Sequence, residues 1–226
     1  MGPEATADLY LRIIKIFQKQ GAVKDCDFPE MVIINLPIPD VVGNLSEENK
    51  VKEMLIEGVK KLENAGANFI VIPCNTVNYF LPEMRKEVSI PIINILQETA
   101  NEVKKQGFRK VGIIGTEMTI NKAIYNDVLN EVELVLPTKE DQKETTKIIM
   151  NVLAGKKTKE DKTFLRKIIS ELKLQGSESI ILGCTELPLL IRKSKDTLNT
   201  IEILAQAVVR ESIGRKLYKQ NKSTEV

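Results

Sequence analysis

Two short motifs hold the side chains in this chain best suited to chemistry: Cys74-Asn75-Thr76 and Cys184-Thr185-Glu186. An apolar run precedes each cysteine, Phe69-Ile70-Val71-Ile72-Pro73 in one case and Ser179-Ile180-Ile181-Leu182-Gly183 in the other. A thiol near a neutral pKa can serve as a base or as a nucleophile, and the hydroxyl and amide groups beside it can hold a polar ligand. β-branched runs of this length read as buried strands, and the polar residues after them as turns into helices. Each cysteine is therefore expected at the carboxyl end of a strand and near a helix N-terminus, the edge at which open α/β sheets bind ligands. Backbone N–H groups at such a turn lower a thiol pKa, so both cysteines are expected to be tunable toward thiolate. The third cysteine, Cys26, lies between Asp25 and Asp27 in a loop, has no counterpart, and reads as structural or incidental.

Composition narrows the chemistry further. The 226 residues include no histidine, which excludes Ser-His-Asp and Cys-His catalysis and every histidine-containing zinc site. Three cysteines are too few for an all-cysteine tetrahedral zinc site within one chain. Proton transfer must then use Cys, Asp, Glu, Lys, Tyr or water. A net charge of +2 without a dense basic patch gives no electrostatic case for nucleic acid or a membrane surface. No apolar run approaches the ~20 residues of a membrane span. Met1-Gly2-Pro3-Glu4 lacks the basic-then-apolar pattern of a signal peptide. A cytoplasmic, reducing location with free thiols is expected.

The elements that must position the two motifs alternate along the chain. Leu9, Leu11, Ile13, Ile14 and Phe17 predict an amphipathic helix over Ala7–Lys19, with Pro3 and Glu4 suited to its first turn. A strand is predicted over Met31–Leu36 and a helix over Ser46–Ala65 ended by Gly66. The Cys74 strand follows, then a helix over Leu81–Val88, a strand over Ile92–Leu96 and a helix over Glu98–Gln106 ended by Gly107. In the second half the pattern predicts strands over Lys110–Ile114 and Val132–Leu136, and helices over Ile120–Leu129, Asp141–Leu153 and Lys162–Leu174. The Cys184 strand, a short helix over Leu187–Lys193 and a final helix over Ile201–Tyr218 come next, with a frayed tail from Asn221 to Val226. Alternating strands and helices argue for α/β architecture with parallel sheets.

The chain also repeats itself at a shift of about 100–113 residues. Gly66 and Gly176 stand at the same distance before the two cysteines, as do Leu62 and Leu172. Asn35-Leu36-Pro37 resembles Val135-Leu136-Pro137, and Asn94-Ile95-Leu96-Gln97 resembles Glu202-Ile203-Leu204-Ala205. Gly2-Pro3-Glu4-Ala5-Thr6 matches Gly115-Thr116-Glu117-Met118-Thr119, both reading Gly-x-Glu-x-Thr. Five matches in one order describe two homologous halves, which places Cys74 and Cys184 at equivalent positions. Residues 1–97 with 205–226 are expected to form the first half, closed by the C-terminal helix, and 98–204 the second. The repeat has one gap: Lys110–Ile114 precedes Gly115, whereas only Met1 precedes Gly2. Either a segment lies upstream or the first sheet is short by one strand.

With Pro73-Cys74-Asn75-Thr76, Gly183-Cys184-Thr185-Glu186-Leu187 and the opening Gly2-Pro3-Glu4-Ala5-Thr6, the chain resembles the aspartate/glutamate racemase superfamily over essentially its whole length, and within it the aspartate racemase branch. That resemblance implies two pseudo-symmetric α/β domains with parallel sheets, commonly paired as homodimers, with the active site in the cleft between the domains. It implies a racemase that inverts an amino acid's α-carbon without pyridoxal phosphate or any other cofactor. Cys74 and Cys184 would be the opposed acid and base, one thiolate and one thiol, exchanging roles with the hand of the substrate. Asn75, Thr76, Thr116, Thr119 and Thr185, with backbone N–H groups, would hold the α-carboxylate; Glu186 would orient Cys184 or receive the ammonium group. The bland alternatives are that Thr116 and Thr119 simply cap a helix and that Glu186 is a first-turn charge.

Several positions depart from the family pattern. Pro39-Asp40 is followed by Val41, where aspartate racemases commonly carry an arginine that reads the side-chain carboxylate. Asn78 stands where many members have histidine, and Glu186 replaces the histidine of the glutamate racemase branch. The aspartate racemase branch implies aspartate as the default substrate, and these departures open a broad or non-acidic range, with Lys156 or Lys157 as a substitute charge. The other expected activities are hydantoin racemase, maleate isomerase, and amino acid binding without turnover.

Overall fold

A computed structural model describes residues 2–43, 45–191 and 194–223. Helix α1 (Pro3–Lys19) starts after Gly2 with a proline at its first position, where the missing N–H costs nothing. Its buried residues Ala5, Leu9, Ile13 and Phe17 recur every four positions, one stripe of a helix. Helix α2 (Glu48–Asn64) buries Val51, Leu55, Gly58 and Val59 and ends before Gly66, whose φ of +86° reverses the chain as the sequence predicts. Strand β1 (Ile70–Val71) leads through Cys74 into a 3₁₀ stretch (Thr76–Phe80) and the short α3 (Leu81–Arg85). Strand β2 (Ile92–Ile93) and helix α4 (Ile95–Lys105) complete the first half of the sequence.

The second half contributes β3 (Lys110–Gly115), α5 (Glu117–Asn121), β4 (Glu133–Val135), α6 (Lys139–Leu153) and α7 (Lys159–Leu174). It continues with β5 (Ser179–Gly183), α8 (Leu187–Leu190), β6 (Thr197–Asn199) and α9 (Thr200–Ser223). Its four strands are parallel in the order β4-β3-β5-β6, and β1 and β2 form a separate parallel pair. The α/β architecture with parallel sheets is thus the one expected. β3 and β5 are buried on both faces, which is why they are continuous apolar runs.

Period-two alternation sorts their side chains between two cores. Val111, Ile113 and Ile181 join α1, α4 and α9 in one cluster, against which Phe69 and Val71 of the β1 region also pack. Ile114, Ile180 and Leu182 face α6, α7 and α8 in another, which contains Cys184. Ile70 and Ile72 pack with α2 in a third, and Cys74 lies against it. Helices α1, α4 and α9 therefore form a layer between the two sheets. Among the described residues no helix is long and apolar enough to cross a membrane.

Several elements differ from the sequence reading. Met31–Leu36 joins no sheet, and Val32 and Ile33 are exposed. The strand expected over Ile92–Leu96 stops at Ile93 because the Asn94 side chain accepts the N–H of Leu96 and starts α4 there. Asn199 does the same for Ile201 and Glu202 at the start of α9. Strand registers Ile70↔Ile92 and Ile180↔Thr197 agree with that pairing, so Asn94 corresponds to Asn199 and not to Glu202. β6, which ends at Asn199, has no counterpart among the strands expected from the sequence. The helix expected over Ile120–Leu129 ends at Asn121, and turns carry Ala123 at a φ of +49° and bury Tyr125 and Leu129. There a tertiary contact of Tyr125 overrides helix propensity. The short helix expected to reach Lys193 ends at Leu190; Arg192 and Lys193 lie outside the described residues. The frayed tail is also revised, since α9 runs to Ser223; residues 224–226 lie outside the described residues.

Candidate active site

Both cysteines occupy strand-to-helix turns. β5 ends at Gly183, and Cys184-Thr185-Glu186 leads directly into α8. Pro73-Cys74-Asn75 leads from the β1 strand into the 3₁₀ stretch. Cys184 is buried, Cys74 half-buried and Cys26 exposed.

Glu186 joins the two thiols electrostatically. Its Oε2 accepts the Cys184 thiol at 3.0 Å and the Thr185 hydroxyl at 3.0 Å, and the residue is buried. Burial pushes the Cys184 thiol well above the ordinary thiol value of 9.0, and the charge and hydrogen bond of Glu186 push it further. Cys74 is near enough to add to that push. Burial and then the Glu186 charge also raise Cys74, against the backbone N–H groups of Val77 and Thr76, which lower it. The tuning expected from the helix starts is therefore outweighed: desolvation and a nearby carboxylate leave both groups as thiols at neutral pH.

The Gly-x-Glu-x-Thr stretch at the start of the chain meets this carboxylate. A Cβ built on Gly2 would overlap Glu186 Oε1 and press on Leu153, so any larger residue there must displace the Glu186 carboxylate. Two residues on, Glu4 pairs with Lys157, which partners one of the two lysines expected to stand in for an arginine; Lys156 is exposed.

Thr76 from the first half meets Thr116 and Thr119 from the second. Their hydroxyls form a buried triangle, with Thr76–Thr116 at 3.0 Å, Thr76–Thr119 at 3.2 Å and Thr116–Thr119 at 2.9 Å. Thr116 also caps α5 by accepting the N–H of Thr119 at 3.0 Å, so the capping role holds alongside the cluster. A Cβ on Gly115 would meet the Thr119 side chain at 3.1 Å and the Gly183 carbonyl at 3.2 Å; glycine lets these strand ends close up.

Asn75 is engaged differently from expectation. Its Nδ2 donates to Thr200 Oγ1 at 3.2 Å and its Oδ1 accepts the Tyr125 hydroxyl at 2.7 Å. Thr200 in turn donates to the Leu182 carbonyl at 3.0 Å, which ties the Cys74 turn to the strand that carries Cys184. Both ends of the amide thus take part in holding the turn. Tyr125 and Thr200 lie outside both motifs; the signal that could have found Thr200 is its place just after Asn199, the repeat counterpart of Asn94. Burial pushes the Tyr125 phenol above its ordinary range, while a Thr99 hydrogen bond acts the other way. Asn78 donates to the Cys74 carbonyl at 2.7 Å, and its Oδ1 is buried with no hydrogen-bond partner among the described residues.

Val41, at the position noted for its missing arginine, is buried in the cluster that Cys74 packs against, and Val42 in the cluster that contains Cys184. The loop thus sets an apolar side chain beside each thiol's neighbourhood, held by Asp40 Oδ1 accepting the N–H of Val42 at 2.9 Å. Among the described residues no group of three or more Cys, Asp or Glu is placed to hold a metal ion.

The family model described as Asp/Glu/Hydantoin racemase matches residues 1–209. The chain belongs to that family. Members of this family that it resembles are named racemases, a class of isomerase. It is 30% identical over 189 residues to the broad specificity amino-acid racemase RacX of Bacillus subtilis, covering 83% of this chain and 82% of that one. It is 28% identical over 157 residues to the glutamate racemase of Aquifex pyrophilus, covering 63% of this chain and 56% of that one. The chain therefore spans little more than half the length of that glutamate racemase. Among solved structures it resembles an aspartate racemase homologue from Pyrococcus horikoshii, with TM-score 0.75 and 31% identity over 92% of this chain and 93% of that one. The aspartate racemase of Picrophilus torridus matches with TM-score 0.78 and 26% identity over 93% of this chain and 90% of that one.

Proposed function

We propose that the chain is a cofactor-independent amino acid racemase in which Cys74 and Cys184 take and return the α-proton from opposite faces. The observation that carries this reading is the pairing of two thiols at equivalent strand ends, coupled through one buried carboxylate. A carbon acid racemises when one base removes the proton and a second acid returns one to the other face of the planar carbanion. Here one cysteine, as thiolate, takes the α-proton and becomes a thiol; the other gives its own proton to carbon and becomes the thiolate. Both thiols rest protonated, so ionisation must precede the first step, and Glu186, already accepting the Cys184 proton, is the group placed to receive it. The Thr76–Thr116–Thr119 hydroxyls supply donors for the α-carboxylate, where charge develops as the carbanion forms.

The side chain accepted is broad or non-acidic, with aspartate as the test case to displace. Val41 and Val42 offer apolar contacts, Lys157 is partnered by Glu4, and RacX carries a broad specificity description. The family description also includes hydantoin racemases, which perform the same proton exchange on a cyclic amide, so a 5-substituted hydantoin belongs in the substrate panel.

The test is solvent exchange in D₂O followed by chiral chromatography on a panel of amino acids, with purified, cofactor-free protein. Each enantiomer of an accepted amino acid should take up deuterium at the α-carbon as it racemises. Cys74→Ser and Cys184→Ser should each abolish racemisation. Near-normal turnover by either variant, or a covalent adduct on Cys74 in single-turnover mass spectrometry, would defeat the two-base mechanism.

A further inference from the structure

The buried stripe of α6 begins with two polar residues. Gln142 is 8% exposed and Thr145 fully buried, ahead of Ile148, Ile149 and Val152. Gln142 stands where β3 loses a neighbour. β4 pairs with β3 only at Lys110, Val111 and Gly112, and Pro137, two residues past the end of β4, has no N–H, so residues 113–115 run on past it. Gln142 Nε2 reaches that strand end, donating to the Gly115 carbonyl at 3.0 Å and to Thr146 Oγ1 at 3.2 Å. Both amide hydrogens are thereby used. The opposite orientation of the amide would set its oxygen against the Gly115 carbonyl. Its Oε1 is buried with no hydrogen-bond partner among the described residues, as is Thr145 Oγ1 one turn on.

Packing alone does not require this amide. An unmet buried acceptor lowers stability, and methionine would fill nearly the same space. Methionine would remove the unpartnered Oε1 and take the donor from the Gly115 carbonyl, one unmet acceptor for another. What the amide adds is direction. The Gly115 carbonyl and the Thr116 N–H belong to one planar peptide, so holding the carbonyl fixes the plane from which Thr116 departs. Thr116 caps α5 by accepting the N–H of Thr119 and is one corner of the hydroxyl triangle. Gly115 also pairs with Gly183, and the next residue is Cys184. A Cβ would meet a carbonyl of the other strand at 3.2 Å from Gly115 and at 3.3 Å from Gly183, so the two strand ends are closely fitted.

We propose that Gln142 is a positioning residue of the active site: by holding the peptide that joins Gly115 to Thr116, it turns the Thr116 hydroxyl toward the substrate's carboxylate. The inference rests on the racemase reading, in which that hydroxyl supports charge as the carbanion forms. Gln142 acts through Thr116 and needs no contact with the substrate. An interaction that strengthens as charge develops counts for more in the transition state than in the ground state, so its loss appears in kcat before KM.

The test is Gln142→Met in the full chain, with Gln142→Leu as a second apolar variant should the first not fold, and Thr145→Val as the control. Thermal unfolding, amide exchange of Thr119 by NMR, and kcat and KM for the amino acid that wild type racemises fastest are measured together. Gln142→Met should move Tm by less than about 4 °C. It should speed exchange of the Thr119 N–H by about tenfold or more, because Thr116 no longer holds it. It should lower kcat about tenfold with KM changed by less than about threefold. Thr145→Val, which removes the other unmet oxygen of the stripe, should leave exchange and turnover as in wild type. Unchanged Thr119 exchange overturns the proposal, as does a kcat loss no larger than the unfolded fraction at the assay temperature accounts for. A wild type that racemises no amino acid defeats the racemase reading instead; faster Thr119 exchange in Gln142→Met then still supports the positioning of Thr116, and unchanged exchange overturns it.

Discussion

Tyr125→Phe removes one hydroxyl and leaves the Asn75 Oδ1, in a residue only 1% exposed, without the 2.7 Å bond it accepts. Phenylalanine fills almost the same space, so the cost comes from the stranded acceptor and not from a cavity. An unsatisfied buried polar group costs about 1–3 kcal/mol. For a chain of this size a loss of roughly 2 kcal/mol lowers Tm by about 4–8 °C. Asn75→Leu should be costly as well, since it also removes the donor to Thr200. The double variant, in which both partners are apolar, should cost less than the sum of the singles, with a coupling energy of about 1–2 kcal/mol. Urea unfolding of the four proteins measures this directly. Since Asn75 adjoins Cys74, the turn loosens too, and Tyr125→Phe should lower kcat more than its stability loss at the assay temperature accounts for. Additive singles, or a Tyr125→Phe cost below about 0.5 kcal/mol, would refute the view that this bond holds the Cys74 turn.

Because burial and Glu186 hold both thiols above 9.0, kcat/KM should climb from neutral into alkaline pH, and Glu186→Gln should move that rise to lower pH. The same shift bears on stability. A thiol pKa raised by folding contributes stability that is complete below the unfolded value near 9.0 and is lost as pH rises through the folded value, so Cys184→Ala should unfold less readily than wild type under alkali, relative to pH 7. Gly2→Ala should displace the Glu186 carboxylate and lower kcat by roughly 10–100-fold with an unchanged circular dichroism spectrum. Ala123→Gly should relieve a left-handed backbone and raise stability by roughly 0.5–1 kcal/mol in the same urea titration.

The elements that could be read from sequence were those whose signals are local. Gly66, Gly107 and Gly176 each take the positive φ that ends a helix, and the runs before Gly115 and Cys184 are strands because both their faces are buried. Met31–Leu36 has the same β-branched composition yet joins no sheet among the described residues, because a strand needs a neighbour and composition does not record one. The boundary at Asn94 was misplaced because an apolar run continues across it, while one side-chain cap decides where the helix begins. In the site, residue types with evident chemistry were legible: the cysteines, Glu186 and the three clustered threonines. Tyr125 and Thr200 were not, because they sit outside both motifs and reach Asn75 only through tertiary contacts spanning 50 and 125 residues. The direction of the thiol shifts was misjudged for a related reason. Helix starts are visible in sequence, but the depth of burial that outweighs them is not.

The triangle of Thr76, Thr116 and Thr119 has three oxygens within 3.2 Å of one another and three hydroxyl hydrogens that can circulate in either sense. Reversing that circulation turns three torsions and moves no heavy atom. Such a ring acts as a local, reorientable dipole: with no charge nearby the two senses are close in energy, and an anion arriving at one corner selects the arrangement that points a hydrogen at it. Thr76 comes from one half of the chain and the other two from the second, so this polar response reaches across the boundary between the two repeats. Such a ring can turn a hydrogen toward negative charge at any of its three corners without moving a heavy atom.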